Sequence, residues 1–96
     1  MAVRYVSLIT FTDQGIRNAK ASPDRVKQFE EMFAREGGKL EVYYTMGTYD
    51  AVGIVEGPDD QTVARWLLGL GAAGNVRTTT FKAFTRDEFQ AITSSL

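Results

Sequence analysis

Two short segments hold the side chains of this chain that core packing alone does not require: Phe11-Thr12-Asp13-Gln14-Gly15 and Gly47-Thr48-Tyr49-Asp50. Each lies where a β-patterned run ends or begins. Asp13 and Gln14 of the first, with Arg17 two residues beyond it, bring a carboxylate, an amide and a guanidinium to one loop, a set able to orient a small polar or anionic ligand. The same residues also suit ordinary turn chemistry, with Asp13 capping the short turn Gln14–Arg17 and Arg17 pairing with a nearby acid. In the second, Asp50 stands at a strand end, where β structure disfavours Asp and something local must compensate. It could be a general base, or hold Arg17 or Arg77 to bind an anion. It could equally form a buried salt bridge or accept turn amides. Tyr43, Tyr44 and Tyr49 add phenols to the same hairpin, where packing or an interface would use them. Arg77 follows on a threonine-rich run and becomes an anion anchor if it points between sheets.

What is missing narrows the chemistry further. The chain has no cysteine and no histidine. Disulfides, thiolate nucleophiles and sulfur-ligated metals are excluded, as are His-ligated haem and the usual general base of neutral pH. No cofactor or metal is expected. The 96 residues read as one domain, 1–96. Eleven basic and 12 acidic residues are spread along the chain for a net charge of −1, so phosphate-driven nucleic-acid binding has little to rest on. No apolar stretch approaches the ~20 residues that span a bilayer. The start, Met1 to Tyr5, has no signal-peptide layout, and the expected location is cytoplasmic.

The elements that must position these residues follow from patterning. Arg4 to Phe11 is a β-branched and aromatic strand. Ser22-Pro23 signals a helix start, with Ser22 as N-cap. Val26, Phe29 and Phe33 give that helix an apolar face, and Gly37-Gly38 stops it. Leu40, Val42, Tyr44 and Met46 alternate with polar residues as a second strand, and Gly47-Thr48 turns into a third over Tyr49 to Glu56. Asp59 or Asp60 caps a second helix with the stripe Val63, Trp66, Leu67 and Leu70. Val76 to Phe84 is a fourth strand, and Thr85 to Glu88 matches a capping box before a short terminal helix. Gly69 to Gly74 spells G-x-G-x-x-G, yet it closes a helix where a dinucleotide site must open one, and is rejected as a fingerprint.

The order β-α-β-β-α-β specifies an α+β, ferredoxin-like plait: a four-stranded antiparallel sheet with two helices on one face. The other face then needs a cover. Tyr5, Ile9 and Phe11 are expected there, and a homodimer packing sheet against sheet is the economical solution.

The chain resembles the GYD domain family, known for a Gly-x-Tyr-Asp motif that stands here as Gly47-Thr48-Tyr49-Asp50. The agreement extends to Phe11–Arg17 and to Gly74-Asn75-Val76-Arg77-Thr78. The resemblance implies a bacterial or archaeal protein of ferredoxin-like or dimeric α/β-barrel type, in a family largely of unknown function. The leading functional expectation is a homo-oligomeric small-molecule binding or regulatory module with a polar site at the strand ends, formed from Asp13, Gln14, Arg17, Tyr49, Asp50 and Arg77. A cofactor-independent enzyme of oxygenase or isomerase type, using Asp, Arg and Tyr, is one alternative. An assembly unit whose motifs hold subunits together is another.

Overall fold

A computed structural model describes residues 2–96. Strand β1 (Val3–Phe11) leads through a one-turn helix α1 (Asp13–Arg17) and a 3-10 turn (Ala19–Ala21) into helix α2 (Ser22–Arg35). Strands β2 (Lys39–Tyr44) and β3 (Ala51–Gly57), helix α3 (Asp60–Ala72), strand β4 (Val76–Ala83) and helix α4 (Arg86–Thr93) complete the chain. The sheet order is β2-β3-β1-β4, with every neighbouring pair antiparallel. This is the ferredoxin-like plait. No helix among the described residues is long and apolar enough to cross a membrane.

The helix-side core grows from alternation in the central strands. Ala51, Gly53, Val55 and Gly57 of β3 are all buried, and Val55 joins Phe33 of α2 with Val63 and Trp66 of α3 in one cluster. Phe33 and Trp66 stack with ring centroids 4.2 Å apart and planes 10° from parallel. The indole Nε1 donates to Glu36 at 2.7 Å, which satisfies the polar end of the ring at the helix boundary. Close approach is needed here: a Cβ at Gly38 would stand 2.2 Å from Cη2 of Trp66, so only glycine lets the indole lie over the start of β2.

One face assignment is corrected. Val3 and Tyr5 pack against the helix-side core, and Ile9 and Phe11 line the space beneath α2. The odd residues of β1 therefore face the helices. The bare face belongs to Val6 and Leu8, whose register partners are Ile54, Val52, Phe81 and Thr79. Both residue sets of β1 are apolar, so alternation alone could not say which set meets the helices.

The ends of elements also shift. Helix α2 begins at Ser22, and no side chain caps it; the Ser22 hydroxyl instead pairs with that of Tyr44 at 2.8 Å. Asp59 is the cap of α3, accepting from Thr62 N at 2.8 Å. That helix runs through Gly69 and Gly71 to Ala72. The expected third strand loses Tyr49 and Asp50 to the preceding loop, and the second ends before Met46. The capping box of α4 forms as expected, with Glu88 N donating to Thr85 Oγ1 at 3.1 Å and Thr85 N to Glu88 Oε1 at 2.7 Å.

Candidate functional site

The sequence motifs meet at one end of the sheet, where β1 finishes and β3 and β4 start. Asp50 is the joint. Its N–H donates to Ile9 O at 2.8 Å, its carbonyl accepts from Thr45 N at 2.9 Å, and its Oδ2 accepts from Phe11 N at 2.8 Å. A residue just outside β3 thus finishes the pairing of two strands beside it. The carboxylate takes a backbone amide that the ladder leaves over, a charge-assisted bond stronger than a neutral one.

The loop after β1 is joined to the turn before β4 in the same manner. Thr12 N donates to Asn75 O at 3.0 Å, and the Thr12 hydroxyl donates to Gly74 O. Gln14 Nε2 bonds Ala73 O at 3.2 Å and Asn75 Oδ1 at 3.1 Å. Thr12, not Asp13, caps α1, accepting from Gly15 N at 3.1 Å. Asp13 lies in the first turn of α1, a position where negative charge suits the helix dipole. Tyr49 enters through its backbone, its carbonyl accepting from Thr45 Oγ1 at 2.7 Å.

The two candidate arginines stay apart from this network. Among the described residues no ion pair includes Arg17. Arg77 bends over the edge of β4, and its Nη1 donates to Gly71 O and Val76 O, each at 3.1 Å. No hydrogen bond or ion pair among the described residues joins Asp50 to either. The six residues share one rim, then, but the bonds of Gln14, Asp50 and Arg77 hold backbone together.

Beneath the rim lies a narrow cavity of about 60 Å³ between the sheet and α2. Ile9, Phe11, Phe29, Leu40 and Val42 supply most of its walls, and Ser22, Arg25, Tyr44, Asn75 and Thr78 its polar residues. Arg25 Nη1 donates to Asn18 O at 3.0 Å. Its Nη2 is sealed from solvent and meets no acceptor among the described residues. Sequence reasoning passed over Arg25. The signal was present: Ser22, Arg25, Val26 and Phe29 fall at i, i+3, i+4 and i+7, so an arginine stands within the inward stripe of α2.

A second polar cluster sits at the opposite end of the sheet. Asp60 accepts from Tyr5 Oη and from Lys82 Nζ, each at 2.9 Å. The bond from Lys82, then that from Tyr5, holds the Asp60 carboxyl below its usual range. Burial, helped by Asp60, pushes the Tyr5 phenol up. Each group here is already partnered, and the cluster reads as a tie between α3, β1 and β4.

Asp50→Ala tests the architectural role of the motif aspartate. It strands the Phe11 amide in a half-buried place, so a loss of about 1–3 kcal/mol in unfolding free energy is expected. Asp50→Asn keeps an acceptor oxygen and should lose less. Chemical denaturation of the three proteins checks the order.

The sequence profile of the GYD domain matches residues 5–93. A relative from Thermus thermophilus, the "Glutamine synthetase and cystathionine beta-lyase binding protein", is 37% identical over 81 residues, covering 82% of this chain and 85% of its own length. The match runs from Tyr5 within β1 to the end of α4 and includes all three motif segments. The chain belongs to the GYD domain family.

Proposed function

We propose that the protein is a self-pairing binding module that docks onto other proteins. The observation that carries this reading is the uncovered sheet face. Val6, Leu8, Val52 and Ile54 form its centre by register, and Phe81, 52% exposed, and Tyr43, 56% exposed, flank them. Arg4, Lys39, Glu41 and Glu56 supply both charge signs around this apolar centre. A patch of that kind can meet a rotated copy of itself, as a two-fold interface requires.

Shape supports the same reading. The molecule is only 18 Å across its shortest axis, and its 14.3 Å radius of gyration exceeds the ~12.5 Å expected of a compact chain this long. A two-layer plait leaves one face of its sheet without a helix layer, and here the centre of that face is apolar. Phe84, just before helix α4, and Phe89 and Ile92 on it are further exposed apolar side chains.

Docking onto other proteins is supported by the Thermus thermophilus relative, which is named for binding two enzymes. Its two named partners define the probes: purified glutamine synthetase and cystathionine beta-lyase, with saturable binding by interferometry as the expected result. For self-pairing, sedimentation of the wild-type chain should give a dimer mass, and Ile54→Lys should give a monomer with an unchanged far-ultraviolet spectrum. A wild-type protein that stays monomeric at the highest concentration reached would refute the pairing.

A further inference from the structure

We infer that the cavity beneath α2 is a binding site for a small apolar carboxylate, with Arg25 as its anion anchor. This inference rests on the helix side of the sheet and is independent of self-pairing and docking.

Arg25 is the first reason. A guanidinium is charged at every physiological pH and offers five donors. Here Nη1 is bonded to Asn18 O, while Nη2 is buried and unpartnered. No carboxylate among the described residues forms an ion pair with Arg25. A buried donor without an acceptor is costly, and Nη2 is such a donor on a side chain that is otherwise partly exposed, so a ligand that accepts from it would complete its bonding.

The surroundings say what the ligand is. The walls are almost wholly apolar, made by Ile9, Phe11, Phe29, Leu40 and Val42. Ser22 shares the inward side of α2 with Arg25, three residues away. The Ser22 and Tyr44 hydroxyls lie 2.8 Å apart and use one proton on each other, which leaves one hydroxyl proton to donate. One guanidinium edge and one spare hydroxyl can satisfy a monoanionic carboxylate. A lining this apolar disfavours a phosphate dianion, whose three strong acceptor oxygens would all have to leave water for it. The volume of about 60 Å³ takes the space of roughly four to six waters. That fits the branched or straight tail of a short monocarboxylic acid, its carboxylate at Arg25 and its tail along Phe29 and Leu40.

The test uses 3-methylbutanoate, its amide 3-methylbutanamide and inorganic phosphate as probes on the full chain, read by calorimetry and by amide shifts in NMR spectra. Saturable binding of the acid is expected, with shifts at Ile9, Phe11, Ser22 and Phe29. The amide has the same shape without the charge and should bind on the order of tenfold to a hundredfold more weakly, the usual margin of one charged hydrogen bond. Phosphate should not compete. Arg25→Met, which keeps the length of the stem, should lose the acid by a similar factor; it forfeits the bond to Asn18 O and removes the unpartnered Nη2 donor, so its melting should stay near that of the wild type. Equal affinity for acid and amide, shifts confined to surface lysines, or no saturation by the acid would each overturn the assignment. The acid–amide comparison on the wild-type chain decides the matter even where Arg25→Met fails to fold.

Discussion

Gly15→Ala is expected to lower the thermal midpoint of this protein by about 12–24 °C. A Cβ at Gly15 would stand 1.8 Å from the carbonyl oxygen of Asn75 and 2.8 Å from its carbon. Both are backbone atoms, so no side chain can swing aside. Asn75 O is the acceptor of Thr12 N, and the same few atoms carry the bonds of Gln14 to Ala73 and Asn75. Relief of the clash therefore parts the loop after β1 from the turn before β4. A cost at the upper end of overpacking, about 3 kcal/mol, follows, and each kcal/mol moves the midpoint of a domain this size by about 4–8 °C. The companion variant is Gly69→Ala. That glycine lies inside α3 with nothing within 4 Å of its missing Cβ, so alanine there should be neutral or stabilise by up to about 1 kcal/mol. Thermal melts of the two variants separate the steric argument from any general sensitivity of the fold to glycine loss. Similar midpoints in the two would sink it.

Trp66→Ala is expected to remove about 3–5 kcal/mol of stability, the range for deleting a buried aromatic ring. Trp66 is 1% exposed and stacks on Phe33, so truncation opens a void in the one cluster that ties α2, α3 and β3 together. A chain of this length holds only about 5–14 kcal/mol in total. The variant should populate unfolded protein at moderate temperature, seen as a shortened denaturant baseline. Trp66→Phe should retain much of the stacking and forfeit the bond to Glu36. That bond has a pH signature. Arg65 first and Trp66 second hold the Glu36 carboxyl below its ordinary range. A depressed carboxyl adds stability that is present above the unfolded pKa and lost as pH falls through the folded one. Wild-type stability should therefore drop on acidification through the carboxylate range, and the drop should be shallower in Trp66→Phe. Denaturant midpoints measured across acid pH provide the check.

Much of this architecture was readable from local chemistry. The aromatic and β-branched run of β1, the stripe Val63–Trp66 and the capping box at Thr85 each specify their element through short-range forces alone. The faces of β1 were not readable. Tyr5, Ile9 and Phe11 compete with Val6 and Leu8 on nearly equal terms, and the choice is made by α2 and α3 docking from elsewhere in the chain. Turn and strand-end residues mark where strands stop, and the motif segments accordingly lie at one end of the sheet. The duties of its residues were less legible: Asp13 and Thr12 are both able caps, and only the fold shows Thr12 Oγ1 reaching Gly15 N. The residue type of Asp50 suits a base, a partner for Arg17 or Arg77, a buried salt bridge or an acceptor of turn amides, and the bond it makes is to the amide of Phe11 at the end of β1. Arg25 escaped attention because charged residues in a helix are ordinarily solvated. Its phase among Ser22, Val26 and Phe29 was the only distinguishing mark.

One layer of backbone separates the cavity beneath α2 from the bare face of the sheet. Strand β1 presents Ile9 and Phe11 to the first and Val6 and Leu8 to the second, and it is bonded to β3 and β4 on either side. The sheet thus behaves as a diaphragm between two compartments. An occupant that displaced Ile9 would therefore press on the same strand that carries Leu8 and is paired to β3 and β4. If the proposed pairing and the proposed carboxylate site are coupled through this strand, the midpoint of self-association will depend on carboxylate concentration, and the affinity for carboxylate on protein concentration, by the same factor.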